Sequence, residues 1–274
     1  MKFSFLLFVC ALFSPLVRAE DKSDLTYGTA AGEEQKLDLS VPDGPGPFPV
    51  CILVHGGYFE RGDKQKQVKP LFAPLAKAGF AWVSINYRLA PAHKYPGSVE
   101  DLETAIRWVK AHAAEYRFDD SRIVLIGESA GAYLVNFVGT CNREDTRVAA
   151  VVPFYGPADL VVRFEASKGN LSTSFPNYFG VSEDNEATRK LLTEASPATY
   201  VRPGLPPFLL LHGNKDETVP YEQSVNFCAK LKAAGVPAEL ITIEGGGHGM
   251  GGWSKLNSDY IAQLVLWLKK TLKY

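Results

Sequence analysis

The chain has 274 residues, of which 46% are hydrophobic and 22% charged, and its formal net charge is −1. That length and apolar content suit one globular α/β domain with a sizeable core. Charges of both signs are scattered along it, which excludes a basic nucleic-acid groove or a polybasic membrane-binding surface and leaves small or neutral partners.

The first residues carry Lys2 and then an apolar stretch to Phe13, and Val17-Arg18-Ala19 supplies small residues ahead of Glu20-Asp21. This predicts a signal peptide over 1–19, cleaved after Ala19, because the apolar run is shorter than the roughly 20 residues of a membrane span. Residues 20–274 are then expected to form one secreted or periplasmic domain, with no membrane span after processing. Cys10 leaves with the signal, and Val9 before it argues against lipid attachment. Cys51, Cys141 and Cys228 form an odd set in which at most one intrachain disulfide is possible. Cys51 sits in an apolar strand and Cys228 shares a helical face with Val225, so buried free thiols are expected.

An extended lead-in contains a strand at Lys36 to Val41, and the Pro- and Gly-rich run Pro42 to Pro47 is a turn. Pro49 to Val54 is continuously apolar and ends at His55-Gly56-Gly57, as an inner parallel strand should. Helical spacing follows from Leu71 to Lys77, then a strand from Phe80 to Ile85. Ser98-Val99-Glu100-Asp101 has the Ser-x-x-Asp form of a helix start, and Val99, Leu102, Ile106, Val109 and Ala113 continue at intervals of three and four. The apolar strand Arg122 to Ile126 stops at Gly127-Glu128-Ser129-Ala130-Gly131 and turns into a helix to about Gly139, after which Val148 to Phe154 is another strand. This alternation predicts a mostly parallel, doubly wound sheet flanked by helices. From 156 to 206 the regularity fails amid Phe164, Phe175, Tyr178, Phe179 and Tyr200, and a loop of that length reads as a short cap-like insertion over the active site. Regular pattern resumes with a strand at Phe208 to Leu211, a helix at Tyr221 to Ala234, a strand at Ala238 to Ile243 and a last helix carrying Ile261, Leu264, Leu268 and Leu272.

In an open α/β sheet ligands bind beyond the carboxyl ends of the strands, and three strand ends here carry reactive residues. Ser129 sits in a Gly-x-Ser-x-Gly elbow, Asp216 follows the strand ending at Leu211, and His248 lies in Gly247-His248-Gly249 after the last strand. A serine hydroxyl is a weak nucleophile alone, so His248 takes its proton and Asp216 fixes the imidazole tautomer. The oxyanion of acyl transfer needs fixed donors, and the expected ones are the N–H groups of Gly56, Gly57 and Ala130. Tyr58 and Phe59 adjoin that loop and are the expected substrate contacts. Asp159 and Glu217 are rival acids. His55 is expected to shape the oxyanion loop, His93, His112 and His212 to be structural or surface residues, and Glu128 and Arg88 to be structural, solvated or ion-paired. No metal-ligand spacing is present, so no metal or other cofactor is expected. Gly247 to Gly252 formally matches Gly-x-Gly-x-x-Gly, but the chain ends before the second strand and acidic residue that a dinucleotide site needs.

The chain resembles the α/β-hydrolase superfamily, and within it the esterase/lipase group of hormone-sensitive-lipase-like and feruloyl- or acetyl-xylan-esterase-like (BD-FAE-type) members. The resemblance rests on His55-Gly56-Gly57-Tyr58, Asn86-Tyr87-Arg88-Leu89-Ala90-Pro91, Gly127 to Gly131, Ser196-Pro197, His212-Gly213, Asp216 to Pro220 and Gly247-His248-Gly249. It implies the α/β-hydrolase fold and cofactor-free serine carboxylesterase chemistry through an acyl-enzyme, on short or aromatic acyl esters such as acetyl or feruloyl decorations of polysaccharides. The alternatives are an amidase or peptidase on the same triad, including a kynurenine-formamidase-like enzyme, and a non-catalytic binding protein of this fold.

Overall fold

The computed structural model describes residues 19–166 and 174–274. Residues 1–18 of the expected signal peptide and 167–173 of the expected insertion lie outside the described residues. The sheet opens with an antiparallel hairpin, β1 (Glu20–Ala30) against β2 (Glu33–Val41). The sequence led us to expect only a strand over 36–41. The first strand is polar and mostly exposed, so it carries little of the apolar alternation by which strands are read.

Then come β3 (Phe48–Val54), β4 (Ala81–Ile85), β5 (Phe118–Glu128), β6 (Ala150–Phe154), β7 (Phe208–Gly213) and β8 (Ala238–Ile243). The eight strands lie in the order β1-β2-β4-β3-β5-β6-β7-β8, parallel from β4 to β8, with β2 antiparallel to β4. This mostly parallel, doubly wound sheet is the α/β-hydrolase fold. Its connections are α1 (Phe72–Lys77), α2 (Gly97–Ala111), α3 (Ala113–Tyr116), α4 (Ala130–Cys141), α5 (Leu160–Ala166), α6 (Ser174–Phe179), α7 (Glu186–Glu194), α8 (Glu222–Ala233), α9 (Trp253–Leu256) and α10 (Tyr260–Leu272).

Side chains alternate across the sheet. Val50, Ile52, Ile123 and Leu125 pack with residues of α2, α4 and α8 on one side, while Cys51, Leu53, Val124 and Ile126 pack with α1 and α10 on the other. With both faces covered, all seven residues of β3 are buried, as its unbroken apolar run requires. Burying each such aliphatic side chain is worth about 1.5–3 kcal/mol, which fixes the register of the strand ends that present the site.

Two sequence expectations are corrected. The helix expected to start at a Ser98 cap begins at Gly97, and Ser98 is buried with its hydroxyl 2.6 Å from that of Tyr178. Its supposed partner Asp101 instead accepts from the N–H and Nε of Arg88. The insertion is not irregular but carries α5, α6 and α7, each too short for a helical period to show in sequence. Its two ends are tied together by Ser196 Oγ, which accepts from the Leu160 N–H at 2.9 Å, and it is fastened to the body by Gln223 Oε1 of α8, which accepts from the N–H groups of Ala158 and Asp159. Cys51 and Cys228 are buried free thiols, and Cys141 is free and half-buried. Among the described residues no helix is long and apolar enough to cross a membrane.

Candidate active site

Ser129 follows the last residue of β5 with φ +52° and ψ −114°, a strained conformation for a residue with a side chain. The flanking glycines make the turn possible. A Cβ on Gly127 would lie 2.3 Å from the Gly131 carbonyl oxygen, and one on Gly131 would lie 2.2 Å from that of Val54. The elbow is held by the Ser129 N–H donating to the Phe154 carbonyl of β6 at 2.9 Å.

Ser129, His248 and Asp216 meet at the C-terminal edge of the sheet. His248 Nε2 lies 2.9 Å from Ser129 Oγ, and its Nδ1 lies 2.7 Å from Asp216 Oδ2. The Asp216 side chain is fully buried, whereas that of His248 is 19% exposed, so the imidazole can exchange protons with an incoming ester or water. The other oxygen, Asp216 Oδ1, accepts from the N–H groups of Thr218 and Val219 at 2.8 and 2.9 Å. Burial alone would raise this carboxyl, but donors from His212, His248 and Val219 prevail and hold it well below the usual carboxylate range. The rival acids are elsewhere: Asp159 Oδ1 accepts from the Val162 N–H at the start of α5, and Glu217 is exposed.

His212 was expected to be structural or a surface residue, and it proves fully buried beside the triad acid, with Nε2 3.2 Å from Asp216 Oδ2. The same nitrogen lies 3.0 Å from the Val219 carbonyl oxygen, so it carries the proton, and Ser224 Oγ donates to Nδ1 at 2.7 Å. Asp216 thus sits between two imidazoles. The other expectations for histidine stand: His93 is 3.3 Å from Glu33, and His112 stacks on Trp108.

The glycine loop differs from expectation in one donor. The Gly56 N–H does not face the serine but donates to Glu128 Oε1 at 2.5 Å, so it is already committed within the protein. Glu128 was expected to be structural, and solvated or ion-paired; neither of the last two describes it. It is buried, takes a further hydrogen bond from the Tyr155 hydroxyl, and its carboxyl is raised by burial, partly offset by those two donors and by the nearby His248. Arg88 is ion-paired as expected, to Asp101 and Glu100.

The N–H groups of Gly57, Tyr58 and Ala130 make no hydrogen bond to other described residues. Gly57, Tyr58 and Phe59 all have positive φ, and a Cβ on Gly57 would fall 2.0 Å from the Arg61 carbonyl oxygen. His55 anchors the loop from below. Its Nδ1–H donates to the Gly56 carbonyl at 2.7 Å, its ring stacks on Tyr87, and burial pulls its pKa down to about 4.

Beside Ser129 a cavity of about 30 Å³ is lined by Tyr58 and Phe59, the expected substrate contacts, by Ala130, and by Arg163, Phe175 and Phe179 of the insertion. Phe59 lies flat on Tyr178 of α6, with centroids 3.9 Å apart and planes 3° apart, so the loop and the insertion form one aromatic stack. Phe164 is buried among the core residues and Tyr200 packs on Phe137, away from the cavity lining. Arg163 was not singled out in the sequence.

This arrangement can transfer an acyl group: a base touches a strained serine, an acid orients that base, and free N–H groups line an adjoining cavity. The BD-FAE family profile matches residues 37–231, well over half of the chain. The chain belongs to the BD-FAE family. Its curated relatives include two proteins of Mycobacterium tuberculosis. The chain is 33% identical over 222 residues to the "Probable carboxylic ester hydrolase LipM", covering 76% of this chain and 51% of that one. It is 35% identical over 230 residues to "Esterase LipQ", covering 79% and 54%. The chain therefore spans about half the length of the curated relatives it matches. Among solved structures, a "Truncated form of carbohydrate esterase from gut microbiota" superposes with a TM-score of 0.81 at 26% identity, covering 93% of this chain and 97% of that one.

Proposed function

We propose that this BD-FAE chain is a serine ester hydrolase that works through an acyl-enzyme. The observation that carries this reading is the line Ser129 Oγ, His248 Nε2 and Nδ1, Asp216 Oδ2, with contacts of 2.9 and 2.7 Å. As Ser129 Oγ attacks the ester carbon, its proton passes to His248 Nε2, and the carbonyl oxygen becomes an oxyanion held by the Ala130 N–H and an N–H of the Gly57–Tyr58 turn. His248 then protonates the leaving alcohol, and a water attacks the acyl-enzyme by the same path in reverse. Short acyl esters, among them acetyl esters of polysaccharides, are the proposed substrates, and a signal peptide cleaved after Ala19 would place the enzyme outside the cytoplasm with them.

A fluorophosphonate probe should label Ser129 in the wild-type protein, and Ser129→Ala should lose labelling and about 10⁶-fold in kcat on p-nitrophenyl acetate. Wild-type protein that stays unlabelled, or a Ser129→Ala variant that hydrolyses the ester at the wild-type rate, would overturn the reading. Comparing acyl esters with aminoacyl amides separates an esterase from an amidase on the same triad.

A further inference from the structure

Arg163 stands on α5 and lines the cavity beside Ser129. Its Nη2 donates to the Thr218 carbonyl at 3.1 Å, but its Nη1 is buried and has no hydrogen-bond partner among the described residues. No carboxylate of the described residues lies within ion-pair distance of it, whereas two other arginines of the insertion are satisfied: Arg189 holds Glu165 and Asp184, and Arg202 holds the Thr140 and Cys141 carbonyls. The nearby Asp216 cannot supply the missing charge, because its oxygens already accept from His248, His212 and the N–H groups of Thr218 and Val219. Burial disfavours the cation, with the fields of Asp216 and Tyr58 partly offsetting this. Guanidinium nevertheless stays protonated in proteins, so the charge persists and an anion brought to it is strongly favoured.

The cavity suits such a group. It brings Arg163 together with Ser129 and Ala130, so an anionic group paired with the guanidinium would belong to the same ligand as the scissile bond. Arg163 is the one charged side chain in the described lining, set among the apolar Phe59, Leu160, Phe175, Phe179 and Val219 and the hydroxyl-bearing Tyr58, Ser174 and Thr218. A neutral alkyl group would fill the space and leave Nη1 unpaired, whereas an anionic oxygen would pair it.

We infer that Arg163 is a specificity-determining residue, and that the preferred esters carry a carboxylate that docks on Nη1 beside the scissile bond. This rests on the esterase reading and deepens it. The shared chemistry is the anionic oxygen, whether it comes from the acyl half, as in a half-ester of a short dicarboxylic acid, or from the alcohol half, as in the ester of a hydroxy acid.

Initial rates by pH-stat titration test it with two matched pairs. Monomethyl succinate against methyl butyrate probes the acyl half, and acetoxyacetate against propyl acetate probes the alcohol half. In one pair the wild-type kcat/KM should favour the anionic ester by about 10- to 100-fold, mostly through KM, as a charge-assisted hydrogen bond would give. Arg163→Met should bring that ratio to about one, Arg163→Lys should restore part of it, and free succinate should inhibit the wild-type enzyme more strongly than butyrate does. Thermal melts and fluorophosphonate labelling of both variants report whether the site is still folded. If they are not folded, the wild-type ratio and the succinate inhibition still decide the matter. A wild-type enzyme that hydrolyses p-nitrophenyl acetate yet shows no anionic preference in either pair, or a preference that survives in folded Arg163→Met, overturns the inference alone. A wild-type enzyme that is neither labelled nor active on any ester overturns both it and the function on which it rests.

Discussion

The site has two walls made by different physics. One is built at strand ends, where Ser129, Asp216 and His248 are joined by polar contacts of 2.7–2.9 Å, and the donors and acceptors of the acid are satisfied by neighbours from the same edge. The other is built by the insertion, where Tyr178, Phe175 and Phe179 touch one another and Phe59 of the glycine loop through ring faces and edges and the one cation of the described cavity lining, Arg163, keeps an unpaired buried nitrogen. Hydrogen bonds are directional and fix atoms, which is what proton transfer needs. Aromatic packing is broad and fixes shape, which is what choosing a substrate needs. On the proposed function, the strand-end wall determines which reaction can run, and the insertion wall which ester reaches it.

The contrast can be broken from either side. Asp216→Asn should leave the fold standing but favour the wrong tautomer of His248, lowering kcat by about 10⁴-fold in steady-state assays. Phe59→Ala attacks the other wall. It empties a buried ring from between the loop and α6 and should destabilise the protein by about 3–5 kcal/mol in denaturant unfolding, raising KM and lowering kcat together.

Buried His55 gives the strand-end wall a pH signature. Its pKa is about 4 when folded and near 6.5 when unfolded, so the unfolded chain binds more protons between those values and stability falls as pH drops from about 6.5 to about 4. The loss should approach about 3 kcal/mol across that window in thermal or denaturant melts, and His55→Gln should flatten the slope. The smallest effect sharpens the comparison at the seam of the two walls. Glu128→Ala frees the Gly56 N–H and should cost about 10- to 100-fold in kcat with little change in KM, a milder loss than deleting an oxyanion donor itself. Glu128→Gln keeps an acceptor for Gly56 and should recover most of that loss.

How much could be read from the residues follows the same division. That Ser129, Asp216 and His248 share one edge was legible because each is a polar residue shortly after an apolar strand, two of them flanked by glycines, and strand ends converge in an open sheet. The fold was legible for the related reason that β3 and β5 to β7 are long buried apolar runs, while polar β1 was not. Gly56 was misassigned because the direction of its N–H depends on Glu128, 72 residues away, and nothing local encodes that. His212 carries a faint signal, a histidine closing an apolar strand four positions before the acid, which only becomes specific once β7 is seen to set both on one edge. Arg163 gave none. An arginine in a short segment reads as solvated, and only the folded insertion turns it toward the cavity.

The flat contact of Phe59 on Tyr178 bears on how such an enzyme could change. The stack joins the turn proposed to hold the reacting carbonyl to the helix beside the cavity, and Asn177 donating to Glu60 at 2.7 Å ties them further. A substitution in α6 that reshapes the cavity will also tilt the donors above the serine, so tolerance for new esters and speed on the old ones will trade against each other. Variants that escape this trade should arise on the opposite rim, at Thr218 and Val219, where the lining is anchored to the triad acid rather than to the stack.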